Sequence, residues 1–259
     1  MARGAGVAAV SALSLHGATA LLDGREVLSD VDLSILPGEV VALTGPNGAG
    51  KTSVIRALTG ALPLSKGEAR LEGRALTAFG PRDRAARLAW LPQDRRIAWN
   101  MPAVEVAALG APFLSGHAAR DRALEALIEI DAGRLAARGV AEMSGGERAR
   151  VLFARFLATE APILLADEPA AGLDPDAQLL VMDVLRRRAE AGAAVLVSLH
   201  DLSLAARHAD RVVVMDRGRV AADGPPREAL APEVMQTVFG VGARWLETPQ
   251  GPVLNSWRL

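Results

Sequence analysis

The stretch Val40-Val41-Ala42-Leu43-Thr44-Gly45-Pro46-Asn47-Gly48-Ala49-Gly50-Lys51-Thr52 decides the fold. Its first five residues are apolar or β-branched and read as a buried strand. The pattern G-x-x-x-x-G-K-[ST] follows at once, and a helix through Ile55 and Leu58 comes next, stopping near Gly60 with Pro63 beyond. Strand, glycine loop and helix in that order make a phosphate-binding loop, because glycines let backbone N–H groups curl around a β-phosphate without interference from Cβ. Lys51 is placed to reach the β- and γ-phosphates, and the Thr52 hydroxyl to ligate Mg²⁺. Gly45, Pro46, Asn47, Gly48, Ala49, Gly50, Lys51, Thr52 and Ser53 are therefore candidate nucleotide-binding residues. The plainer reading, a glycine-rich turn at a helix start, does not account for all three parts falling in register.

Outward from this loop the chain alternates. Residues 27–36 read as a strand before the turn Pro37-Gly38-Glu39, Arg70-Leu71-Glu72-Gly73-Arg74 as a hairpin, and Leu88–Leu91 as a strand leading to Gln93. From about 94 to 159 the pattern turns helical, with helices expected over 103–109, 119–130 and 146–159. Strand-like runs return at 163–166, 195–199 and 212–215, between helices at Pro175–Glu190 and Leu202–His208. Such βαβ alternation predicts a parallel sheet with helices on its faces. The expected fold is α/β: a P-loop NTPase (RecA-like) core with a parallel sheet, an antiparallel β subdomain and an inserted α-helical subdomain. Residues 1–93 and 160–240 are assigned to the core with its β subdomain, 94–159 to the helical insert, and 241–259 to short structure with a loose end.

Composition narrows the function classes. Half of the 259 residues are apolar, and 29 basic residues face 30 acidic ones for a net charge of -1, so no global field recruits nucleic acid. Arg186-Arg187-Arg188 reads as a solvated helix end, where cations are favourable. Cysteine is absent, which excludes disulfides, thiolate metal sites and a Cys nucleophile. Four scattered histidines without thiols argue against a transition-metal site; His16, His117 and His208 read as surface or capping residues. The opening Val7-Ala8-Ala9-Val10 is followed by Ser11, Ser14 and His16 and reads as a first strand rather than a leader. No run of about 18 charge-free apolar residues occurs. The nearest, 97–114, is broken by Asn100, Pro102, Glu105, Gly110 and Pro112, so membrane association is expected to go through a partner.

Four further segments carry chemistry. Asp167 follows the apolar run Ile163-Leu164-Leu165-Ala166, so its carboxylate emerges at a strand end, where open α/β sheets bind ligands. It is the candidate to hold Mg²⁺, mainly through water, and Glu168 beside it the candidate to polarise an attacking water. Gln93 ends a strand and can reach both the metal and that water. His200 ends the strand next to the one carrying Asp167 and can donate to a γ-phosphate. Ser144-Gly145-Gly146-Glu147 opens a helix whose N-terminus is a ready anion site. Ser144 and Glu147 also fit an ordinary capping box, but capping does not explain two consecutive glycines. The turn has no evident task in its own nucleotide site, and makes chemical sense when a second copy of the chain presents it to a phosphate held by the first.

In this order and spacing the segments resemble the ATP-binding subunits of ABC transporters, over essentially the whole chain. The resemblance implies that residues 45–52 are the Walker A loop, Gln93 the Q-loop, and Ser144, Gly145, Gly146 and Glu147 the signature. It makes Asp167 the Walker B aspartate, Glu168 the catalytic glutamate, Leu173-Asp174 the D-loop and His200 the switch histidine. It further implies ATP and Mg²⁺ as cofactors, and a homodimer sandwiching two ATP molecules. Integral membrane permease subunits, an external substrate-binding protein and a peripheral place on the cytoplasmic face of the membrane are implied as well, with no nucleic acid. Met143 stands where leucine is usual before the signature, a near volume-conserving change.

One departure concerns the base. The family commonly stacks adenine on an aromatic residue ahead of the Walker A loop, and this chain has no tyrosine. The matching position is Leu22, so weaker ATP binding or relaxed base selectivity is expected. Leu91-Pro92-Gln93, His200-Asp201-Leu202, Leu204-Ala205-Ala206 and residues 104–112 resemble subunits that drive uptake of iron chelates, haem or cobalamin, although Ala111 replaces a frequent arginine. A zinc, manganese or other importer, or an exporter, stays open. An apolar groove for a permease helix is expected from Ile97, Trp99, Met101 and Phe113, which serve equally well as the insert's own core. A chromosome-type ATPase would need a coiled coil that residues 94–143 cannot supply, a translation-type one a second motif set, and a simple kinase no signature.

Overall fold

The computed structural model describes residues 11–94, 97, 100–249 and 251–259. Its first half runs β1 (Leu13–Leu22), β2 (Arg25–Ile35), β3 (Val40–Thr44), α1 (Lys51–Thr59), β4 (Lys66–Leu71), β5 (Arg74–Ala75), α2 (Pro81–Ala85), β6 (Leu88–Leu91), α3 (Ala103–Ala108) and α4 (Gly116–Glu129). The second half runs α5 (Gly145–Leu157), β7 (Ile163–Asp167), α6 (Pro175–Glu190), β8 (Ala194–Ser198), α7 (Leu202–His208), β9 (Arg211–Asp216), β10 (Arg219–Gly224), β11 (Val241–Thr248) and β12 (Gly251–Arg258). Six strands form a sheet in the order β10-β9-β3-β8-β7-β6, parallel except for the β9–β10 hairpin.

Strands β3, β7 and β8 are buried at every residue, which is why they read as unbroken apolar runs. Alternation still sorts their side chains between two faces. Val40 and Ala42 join the apolar cluster shared with α5 and α6, whereas Val41 and Leu43 join the one shared with α1, β1 and β2. An antiparallel sheet of order β2-β1-β4-β5 lies on that second side. Helices α3, α4 and α5, which fall between β6 and β7 in the chain, pack on one another. On α5, Val151, Phe153 and Ala154 are buried, with the Phe153 and Phe156 ring centroids 5.7 Å apart. The result places the loop after β3 beside the C-terminal ends of β7 and β8, at the mouth of the sheet.

Three expectations change. The C-terminal end is not loose: β11 and β12 pair antiparallel from Val241↔Arg258 to Thr248↔Gly251 and pack against α7. Pro249 and Gly251 are turn residues, and the strand signal lies on either side of them, where Ala243, Trp245 and Leu254 face the core. His208 is not a surface residue but 8 % exposed at the end of α7, its Nδ1 3.7 Å from Asp183. Burial pushes its imidazole below the ordinary value against the pull of Asp183. The arginine run is only partly solvated, since Arg186 pairs with Asp210 at 2.8 Å and Arg188 ties α6 to α4 through Glu129 at 2.5 Å. The expected strand over residues 7–10 lies outside the described residues. No helix among the described residues is long and apolar enough to cross a membrane.

Candidate active site

From Thr44 the chain turns through Gly45 (φ 141°), Gly48 (φ 78°) and Gly50 (φ 107°) into α1. Two of these glycines are needed for different reasons. A Cβ at Gly45 would come within 2.3 Å of the Met215 carbonyl oxygen, so the approach of β9 demands glycine. At Gly48 a Cβ would meet nothing within 4 Å, and the backbone there is open toward the cleft it lines. Lys51 is 6 % exposed and folds back on its own loop, its Nζ donating to the carbonyl oxygens of Gly45 at 2.8 Å and Pro46 at 3.2 Å. Burial pushes its pKa below the ordinary lysine value, while the Glu168 and Asp167 carboxylates act in the opposite sense.

The carboxylates come from β7 and the turn beyond it. Asp167 is 1 % exposed, and its Oδ1 accepts a hydrogen bond from Ser198 Oγ at 2.6 Å. Its buried Oδ2 has no hydrogen-bond partner, a costly condition for a carboxylate oxygen. With the Thr52 hydroxyl in the adjoining cleft, this orphan oxygen fits the all-oxygen donor set that a hard cation takes. Glu168 sits at φ 51°, a conformation that costs a non-glycine residue about 1–3 kcal/mol. Its backbone N–H donates to Ser198 Oγ at 2.9 Å. Its Oε2 accepts from Gln93 Nε2 at 2.9 Å, and its Oε1 lies 2.5 Å from His200 Nε2.

One cleft of about 320 Å³ thus brings together residues 47–53, Gln93, Glu168, His200 and Val27. Gly45 and Pro46 support it through Lys51, and Asp167 lies beneath it. Ser198 and Val27 were not among the expected residues. A hydroxyl two positions before His200, at the end of an otherwise apolar strand, is the signal for Ser198; Val27 carries none.

The cleft does not include Ser144, Gly145, Gly146 or Glu147. These residues form the capping box in full: Glu147 N–H donates to Ser144 Oγ at 3.2 Å, and Ser144 N–H to Glu147 Oε2 at 3.0 Å. The hydrogen bonds from Ser144 hold the Glu147 carboxyl below its usual range. Nothing inside the chain requires the two glycines. A Cβ at Gly145 would meet nothing within 4 Å, one at Gly146 only an ordinary contact at 3.8 Å, and neither has a positive φ. Leu22, at the end of β1, is 43 % exposed and is not in the cleft lining either.

A second concavity of about 410 Å³ lies between β6, the end of α3 and α5, lined by Trp90, Leu91, Pro92, Leu109, Pro112 and Phe156 among others. The expected groove residues fall differently. Ile97 and Met101 pack against the main core, where the insert needs them as filling, while Phe113 is 45 % exposed under the Arg82 guanidinium. Trp99 lies outside the described residues. The Trp90 Nε1–H, buried beside the groove, has no acceptor.

The chain matches the ABC transporter family over residues 28–171. The hemin import ATP-binding protein HmuV of Nocardia farcinica is 45 % identical over 229 residues, covering 87 % of this chain and 80 % of that protein. The HmuV protein of Streptomyces coelicolor is 44 % identical over 237 residues, covering 90 % and 83 %. Among solved structures, the dimeric post-hydrolysis state of the ATP-binding cassette MJ0796 bound to ADP and Pi is similar with a TM-score of 0.74 at 27 % identity, covering 83 % of this chain and 99 % of that one. The chain belongs to the ABC transporter family, as an ATP-binding subunit whose ATPase activity is coupled to transport.

Proposed function

We propose that this chain drives import of haem or a related metal chelate, and that two copies close over two ATP molecules to do so. The observation that carries the paired site is the signature turn, a helix N-terminus with two glycines that its own fold does not use. The ATP-bearing dimer of the similar cassette supports the pairing, and the hemin importers among its relatives support the cargo. On this reading the loop N–H groups and Lys51 hold the β- and γ-phosphates, and Lys51 exchanges its two carbonyl partners for phosphate oxygens. The Ser144 end of α5 in the second copy adds positive potential at the γ-phosphate. Glu168 orients the lytic water, released from Gln93 and His200, and His200 turns to the γ-phosphate.

Asp167, Thr52 and Gln93 would hold Mg²⁺, which when bound neutralises charge on the β- and γ-phosphate oxygens. The groove beside Trp90 would receive a short permease segment, with the helical insert (94–159) moving against the core (1–93 and 160–240) as the copies close. The chain then sits peripherally at the cytoplasmic face, and a substrate-binding protein delivers cargo on the other side. Purification of the full chain from membranes should recover an integral permease, and the reconstituted complex should hydrolyse ATP faster when haem-loaded binding protein is added. Stimulation by a different cargo would reassign the substrate, and recovery of DNA or ribosomes instead would overturn the transport role.

The base site gives a separate expectation. Stacking an aromatic ring on a base is worth about 1–3 kcal/mol, so Leu22→Tyr should tighten ATP binding by roughly an order of magnitude, measured by titration calorimetry. Unchanged affinity would remove Leu22 from the nucleotide site.

A further inference from the structure

We infer that Ser198 is a positioning residue for the reaction: one buried hydroxyl fixes both the Asp167 carboxylate and the backbone of Glu168. The inference rests on the roles proposed above for those two carboxylates. Ser198 is 0 % exposed at the end of a strand whose other residues are apolar. A buried hydroxyl is unfavourable unless hydrogen-bonded, and an alanine or valine would serve packing there equally well. This hydroxyl is used twice. It donates to Asp167 Oδ1 at 2.6 Å and accepts from the Glu168 N–H at 2.9 Å. The direction is fixed, because an amide can only donate and the hydroxyl has a single proton, which must go to the carboxylate.

The sheet explains why the hydroxyl lies where it does. In the parallel β7–β8 register Asp167 stands opposite Ser198, and paired residues of neighbouring strands leave the same face of a sheet. Three consequences follow for the site. Oδ1 is engaged by a charge-assisted bond, so the Asp167 rotamer is set and Oδ2, the oxygen without a hydrogen-bond partner, is the one left for a cation. The Glu168 N–H is held while its backbone occupies φ 51°, a conformation that needs outside support. Two residues further along, His200 meets the Glu168 side chain, so the end of β8 grips Glu168 by both backbone and carboxylate.

Groups that orient ligands from behind typically cost 10–100-fold in metal affinity or activity when removed. Ser198→Ala should therefore lower kcat by about that factor with a smaller change in KM. A second readout avoids turnover. In the Glu168→Gln background, nucleotide affinity is compared in EDTA and in rising Mg²⁺, with and without Ser198→Ala. Affinity in EDTA should be unchanged, while the Mg²⁺ concentration for half-maximal tightening should rise about tenfold or more. Ser198→Thr, which keeps the hydroxyl, should restore most of both. Unaltered Mg²⁺ dependence and kcat in Ser198→Ala would overturn the inference, as would equal losses of affinity in EDTA and in Mg²⁺, which mark general damage. Full turnover by Glu168→Gln would instead strike the role given to Glu168, and the Mg²⁺ titration would still decide the Asp167 half.

Discussion

Glu168→Gln is expected to reduce ATP turnover by about 10²–10⁴-fold, the range for losing a positioned general base, while ATP binding persists. The substitution keeps the shape of the side chain and one acceptor oxygen, so the contacts with Gln93 and His200 are replaced by neutral hydrogen bonds. The backbone at φ 51° and its bond to Ser198 are untouched. What is lost is the negative charge that draws a proton from water. Removing a carboxylate near Lys51 also lessens repulsion of the phosphates, so the ATP-bound pair should be longer-lived than in the parent. Single-turnover hydrolysis and size-exclusion chromatography with ATP read both effects, and hydrolysis at the parental rate would remove Glu168 from the chemistry.

Gly145→Asp should abolish turnover by at least about 100-fold, the loss attached to removing one preorganised donor for a developing anion, without harming the fold. The separation follows from the sign of the helix dipole. Gly145 is the first residue of α5, where a carboxylate stabilises the helix by about 0.3–1 kcal/mol. Its Cβ meets nothing within 4 Å, so the side chain enters open space. The same charge repels a phosphate brought to that helix end. Melting temperature should therefore hold or rise slightly, and nucleotide binding to the isolated chain should be unaltered, because the signature is absent from its own cleft. A variant that binds ATP less well as a monomer would mean that the turn serves its own site.

How much of this was legible in the sequence depends on where each signal resides. The core strands showed plainly, because β3, β7 and β8 are buried on both faces and leave no polar interruption. Helices α6 and α7 were bounded by their caps, Asp174 and Asp201, whose side chains accept from the first-turn N–H groups. The loop, Gln93, Glu168 and His200 meet in one cleft because each ends a strand or opens a helix at the same edge of the sheet. The C-terminal hairpin was obscured by its own turn residues and by an outward face with large apolar side chains, Leu246, Val253 and Trp257, which blur the alternation. Ser198 escaped because a lone serine has no motif, and its meaning comes from the register that sets it opposite Asp167. The groove wall was misplaced because apolar residues in the insert look alike in sequence, whether they fill the core like Ile97 and Met101 or stand open like Leu109.

Mixing two inactive variants tests the shared site most directly. Lys51→Ala loses the phosphate grip but keeps its signature, whereas Gly145→Asp keeps the grip and loses the signature. If each centre is built from the loop of one copy and the helix end of the other, a mixed pair contains one complete centre, and ATPase activity should reappear in the mixture although neither variant hydrolyses alone. A mixture as inactive as its components, or full activity from Gly145→Asp alone, would contradict a site completed between two copies.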